Sequence, residues 1–161
     1  MPRLLPAVLA FAVALAAPAQ AERASFFLMD AIKGDNGEIV NAALAQQRAT
    51  SAPVREFAAM LVRDHSATRA QAIAAARASR VGIPRGTTAE AQHLHRRLLR
   101  LSGATFDEAF LTAMIKDHRK AVSKYAEQRR TGDPLTRQLA EDALPHLSEH
   151  LRTALSLRSV G

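Results

Sequence analysis

Four long stretches with apolar residues at helical spacing, each carrying an ionisable residue on the centre line of its apolar stripe, constrain this chain more than any other feature. The first stretch runs from about Ala24 to Ala49, and its Gly34-Asp35-Asn36-Gly37 is also a turn signal, hence a candidate break. The second begins at Ser51-Ala52-Pro53, a cap residue before a first-turn proline, and continues to about Arg80 ahead of Gly82 and Pro84. The third opens on Thr105-Phe106-Asp107-Glu108, which reads as a capping box, and reaches about Arg130. Thr131-Gly132-Asp133-Pro134 then closes the third and caps the fourth, which extends to about Leu157 with Pro145 inside it as an expected bend.

The apolar content is mostly Ala and Leu, with 48% hydrophobic but only 4% aromatic residues, which suits packed helices and argues against a β-sandwich. Residues 81–104 form a long connection that carries a shorter basic amphipathic stretch, Ala89 to Leu101. Short joints between the first and second helices and between the third and fourth, with one long middle connection, predict an all-α, ferritin-like four-helix bundle. Its connection between helices 2 and 3 carries a short helix. A plain up-down-up-down bundle is the alternative.

At about 100° per residue, Val54, Ala58, Leu61, Ala72 and Ala76 cluster around His65. Leu111, Met114, Val122 and Tyr125 cluster around His118, and Leu139, Ala143, Ala154 and Leu157 around His150, with His146 one turn earlier. On a continuous first helix, Phe27, Ala31, Ala42, Ala45 and Ala49 surround Glu38. With a rise of about 1.5 Å per residue, these groups fall within a turn or two of one level. Three of the histidines also follow an acid, in Asp64-His65, Asp117-His118 and Glu149-His150. An acid one position earlier stands on the shoulder of the stripe, where it can accept a bond from an imidazole on a neighbouring helix and fix its orientation.

Imidazoles from several helices with one carboxylate point to a metal site of Glu38, His65, His118, His146 and His150, backed by Asp64, Asp117 and Glu149. That ligand set suits zinc or copper. A di-iron centre is disfavoured, because it calls for Glu-x-x-His on two helices, and the sole instance, Glu90 to His93, lies in the connection. The competing reading is a metal-free polar cluster whose bonded histidines specify one packing. No nucleophile elbow or glycine-rich phosphate loop is present.

Residues 1–21 read as a cleavable secretory signal: Arg3 as the basic region, Leu4 to Ala17 as an apolar run interrupted by Pro6, and Ala19 and Ala21 before the cut. The run is short for a membrane span of about 20 residues, although an uncleaved anchor is the alternative. Cleavage after Ala21 leaves residues 22–161, enough for a single helical domain in the periplasm, soluble or peripheral to the outer membrane. The formal charge is +7, and export excludes nucleic acid as the partner of a basic chain. The run His93-Leu94-His95-Arg96-Arg97 reads as a solvated face over the core. Envelope or anionic-membrane contact through Arg96, Arg97 and Arg100 is its partner reading. With no cysteine, disulfides and thiolate ligands are excluded, and no residue pattern specifies an oligomeric state.

One family shares this pattern. Phe27, Glu38-Ile39 and Leu44-Ala45 in the first helix, Val54, Phe57-Ala58 and Asp64-His65-Ser66 in the second, Phe106-Asp107 and His118 in the third, and Leu144-Pro145, Leu147 and His150-Leu151 in the fourth carry the match. On these residues the chain resembles the exported bacterial family catalogued as domain of unknown function 4142, often labelled an outer-membrane protein. The resemblance implies a ferritin-like bundle, export and no established activity. It does not extend to His146, whose place in the site rests on helix geometry alone. Nothing in the sequence alternates as barrel strands do.

Overall fold

A computed structural model describes the backbone of residues 8–160 and the side chains of residues 18–159. It is all-α, with α1 Val8–Arg48, α2 Ala52–Ala78, α3 Ala89–Leu98, α4 Gly103–Thr131 and α5 Pro134–Val160. Short turns fold α1 against α2 and α4 against α5 as two antiparallel hairpins. The hairpins meet mainly along α2 and α5, while α3 lies against α1 and α4.

The sequence signals explain most of the boundaries. Ser51 is the N-cap of α2 with a proline in its first turn. Arg80 takes a left-handed conformation (φ 55°) as that helix ends, and the Val81 amide donates back to Ala76 O at 2.8 Å. Asp133 caps α5 by accepting from Leu135 N at 3.0 Å. That helix continues through Pro145.

One open feature takes its simpler form, and one expected feature is built differently. Gly34-Asp35-Asn36-Gly37 does not break α1, because these residues form the face on which the connection packs. Asn36 Nδ2 donates to Gly86 O at 2.9 Å, and Asn41 Nδ2 donates to Ala91 O at 3.1 Å. Gly37 lets α3 approach, since a Cβ there would stand 2.4 Å from the Ala91 Cβ. The capping box at Thr105 does not form either. Helix α4 starts two residues earlier, at Gly103, and Glu108 is exposed. Asp107 is drawn away to the α1–α2 turn, where it accepts from Thr50 N at 3.0 Å and Ser51 N at 2.8 Å. It thereby ties the second hairpin to the first.

The core falls into two apolar clusters. One includes Leu61, Leu98, Phe106, Phe110 and Met114. The other includes Leu28, Ile32, Tyr125, Leu139 and Leu147. Between them, buried Asp35, His65, Thr68, His118 and His150 make a polar layer across the bundle. Leu94 and Leu98 of α3 are buried over the first cluster, whereas Arg96, Arg97 and Arg100 are exposed.

The expected first helix began near Ala24, but the backbone is helical from Val8 through Pro18. Ala24 is the first buried side chain among those described. The basic region at Arg3 and residues 1–7 lie outside the described residues. Among the described residues, no helix is long and apolar enough to cross a membrane.

Candidate metal centre

Spacing along each helix turns the histidines inward. His65 shares the inner face of α2 with Leu61, Thr68 and Ala72, and His118 shares that of α4 with Met114 and Tyr125. His150 sits on α5 between Leu147 and Ala154. The three are 5%, 1% and 1% exposed. Their ring centroids are 5.6, 5.3 and 5.2 Å apart. His118 Nε2 lies 3.4 Å from His65 Nε2 and 3.2 Å from His150 Nδ1. One nitrogen from each ring falls within 4.8 Å of the others.

What each ring does with its outer nitrogen fixes what the inner one offers. His65 Nδ1 donates to Asp35 Oδ1 at 2.8 Å, and His150 Nε2 donates to Asp64 Oδ2 at 3.0 Å. His118 Nδ1 faces Met114 O at 2.9 Å. A carbonyl only accepts, so Nδ1 carries the hydrogen. In the neutral imidazoles the outer nitrogens therefore hold the protons, and three bare lone pairs face one another. Such a set repels itself unless a proton or a metal cation stands among them.

The charges agree with this arrangement. Burial, with the neighbouring His65 and His150, pushes His118 down to about 3. Burial also lowers His150, to about 4, against the opposing bond from Asp64. For His65 burial acts downward too, but the Asp35 bond and the charges of Glu38, Asp35 and Asp64 outweigh it and raise the ring above its ordinary value. Of the three rings, His65 is thus the one that most readily takes up a proton, and its Nε2 lies 3.4 Å from His118 Nε2.

Beside the rings opens a cavity of about 310 Å³, whose walls include Asp35, Glu38, Asp117 and Tyr125 as well as His65 and His118. Burial raises Asp35 and Asp117 above the usual carboxylate range and pushes Glu38 up to about 7. Glu38 is half-buried as a residue, but its Oε2 is shielded from solvent and, like Asp35 Oδ2, has no hydrogen-bond partner.

The family described as Domain of unknown function (DUF4142) matches residues 10–157. The chain belongs to the DUF4142 family. Every residue of the centre lies within that match. No curated protein and no solved structure matches this DUF4142 chain.

The DUF4142 fold brings together His65, His118 and His150, with Asp64 accepting from a ring on the neighbouring helix as its position predicts. Glu38 reaches the cavity wall and is not one of the three converging groups. His146 is exposed. The buried residues of α5, among them Thr136, Leu139, Ala143 and Leu147, centre the core stripe about 35° to one side of His150, whereas His146 lies about 40° to the other. Glu149 is exposed and pairs with Arg152 instead of an imidazole. Asp117 faces the cavity beside Lys120 and bonds no ring. Asp35 is the residue of this polar cluster that the pattern hid. It stands three residues before Glu38, on the same side of a continuous helix, within a segment that reads as a turn.

Proposed function

We propose that this DUF4142 protein is an exported, ferritin-like bundle protein that binds one transition-metal ion, zinc or copper, through His65, His118 and His150. The observation that carries this reading is the convergence of one nitrogen from each of three imidazoles whose opposite ring nitrogens are each held by a fixed acceptor. Imidazole ligands oriented in this way by carboxylates and carbonyls are the usual surroundings of a protein metal ion. Two imidazole nitrogens on one tetrahedral zinc, at bond lengths of 2.0–2.1 Å, lie about 3.4 Å apart. The separations of 3.4 and 3.2 Å fit that value. All-nitrogen ligation suits zinc or copper better than harder cations.

Two hairpins joined by a long connection support the ferritin-like reading. Export is supported by Arg3, the apolar run after it and Pro18-Ala19-Gln20-Ala21. Cleavage after Ala21 would remove none of the buried side chains described, which begin at Ala24.

The test is metal analysis of protein purified without a histidine tag, loaded with zinc or copper and dialysed. About one ion per chain is expected, and none in His118→Ala. Sub-stoichiometric metal in the wild type would overturn the reading and leave the rings as a proton-bridged structural core.

A further inference from the structure

The imidazole centre uses one oxygen of Asp35. The other, Oδ2, and Glu38 Oε2 are both shielded from solvent without a hydrogen-bond partner, on side chains that line the same cavity. Asp35 is only 4% exposed. A buried carboxylate oxygen with no partner is unfavourable wherever the group is ionised, and a cation is its natural counterpart.

The cavity is acidic in a basic protein. The chain as a whole carries +7, yet five carboxylates line this space: Asp30, Asp35, Glu38, Glu90 and Asp117. Two ammonium groups, Lys120 and Lys124, also line it. Lys124 is taken by Asp30, and Lys120 lies beside Asp117. Neither is bonded to Asp35 Oδ2 or Glu38 Oε2.

We propose a second cation site in this cavity, where Asp35 Oδ2 and Glu38 Oε2 hold a partly hydrated hard divalent cation of the magnesium or manganese class and the Asp117 carboxylate faces its waters. Oxygen-only donors select such cations over zinc or copper. These cations keep several waters and use few carboxylates, and a space of about 310 Å³ accommodates a partly hydrated ion. Asp35 and Glu38 are three residues apart on α1, so both carboxylates leave the same side of that helix. Asp117 comes from α4, close enough for its charge to act on Glu38. Asp35 would serve both sites, with Oδ1 on His65 and Oδ2 on the cation. The site does not depend on a metal at the imidazoles.

Manganese, followed by electron paramagnetic resonance during titration of the zinc-treated full chain, is the probe. About one manganese ion per chain is expected. Glu38→Gln, which keeps the side chain's shape, should weaken it at least tenfold while zinc stoichiometry and circular dichroism stay unchanged. His150→Ala removes an imidazole that does not line the cavity and should spare manganese binding. Scattered weak manganese binding in the wild type, or full binding in Glu38→Gln, would overturn the proposal. Failure of the imidazole reading has a different signature, absent zinc with manganese retained.

Discussion

Asp35 accepts a hydrogen bond from His65 Nδ1 across 2.8 Å, and this contact decides that Nε2 faces the middle of the bundle. The same logic recurs one helix further on, where Asp64 of α2 holds His150 of α5. A carboxylate on one helix thus orients a ring on the next, and the third ring, His118, is set by a carbonyl of its own helix. Residues of α1, α2, α4 and α5 all take part, so the three nitrogens converge only after both hairpins have packed. A metal bound at this point would therefore contribute folding energy as well.

Removing an orienting acceptor should loosen the ring without removing the ligand. Asp35→Asn and Asp64→Asn are expected to weaken zinc or copper binding by about 10–100-fold, whereas His65→Ala or His118→Ala should abolish it. Competition against a chromophoric chelator measures both. Wild-type affinity in Asp35→Asn would show that the bond to His65 is incidental.

Metal should displace a proton. With His118 and His150 held down to about 3 and 4, those rings are already neutral at pH 7 and compete little with a metal. His65, raised by Asp35 and its neighbours, is the ring from which a metal displaces a proton. Calorimetric titration in buffers of different ionisation enthalpy should report proton release that grows toward about one per ion as pH falls through the His65 titration. Release should decline as pH rises past the His65 titration, and affinity should fall as pH drops below it.

Most of this arrangement was legible from helical periodicity, and the misses have definite physical causes. His65, His118 and His150 lie near the centre of stripes that are otherwise apolar, so a 100° step finds them with no tertiary information. His146 and Glu149 fail because the true core line of α5 runs between His150 and Leu147, near Thr136 and Ala154, rather than symmetrically about His150. Asp35 was obscured by local chemistry. Gly-Asp-Asn-Gly is a turn sequence in isolation, whereas in the fold Asn36 bonds Gly86 O and α3 packs against Gly37 of an uninterrupted helix. Asp107 is similar, since a local capping pattern lost to a long-range pair of backbone amides at Thr50 and Ser51.

Glu38 should make the metal-free protein less stable as pH rises. Its carboxyl moves from 4.5 to about 7 on folding, so between those values the folded chain keeps a proton that the unfolded chain has released. The associated stability is complete below about pH 4.5 and is lost as pH rises through about 7. The effect amounts to at most about 3 kcal/mol. Glu38→Gln removes it. The variant should match the wild type near pH 4 and exceed it at pH 8 in urea unfolding, and equal differences at both pH values would contradict the assignment.

Asp107 anchors the far end of the bundle. It is buried, and both of its oxygens receive amides at the start of α2, where an anion is also favoured by the helix dipole. Asp107→Ala leaves those amides without their acceptor and should cost about 2 kcal/mol. Because the contact lies at the α1–α2 turn, the number of metal ions bound should not change. A variant as stable as the wild type in thermal unfolding would mean that solvent replaces the carboxylate.

Gly37 is the position where α3 approaches α1, and it tests whether that contact holds the connection in place. Replacing a helical glycine by alanine ordinarily gains about 1 kcal/mol. Here the new Cβ would stand 2.4 Å from the Ala91 Cβ, far inside the roughly 3.5–4.0 Å of a favourable carbon contact. Both atoms are fixed to their backbones, so no rotamer relieves the clash and α3 must move. Overpacking of this kind costs about 1–3 kcal/mol, enough to cancel the propensity gain or exceed it. Gly37→Ala should therefore speed hydrogen exchange in α3, with little change in α4 or α5. Adding Ala91→Gly removes the opposing Cβ and should restore protection. Unaltered exchange in the single variant would show that α3 is held by Leu94 and Leu98 alone.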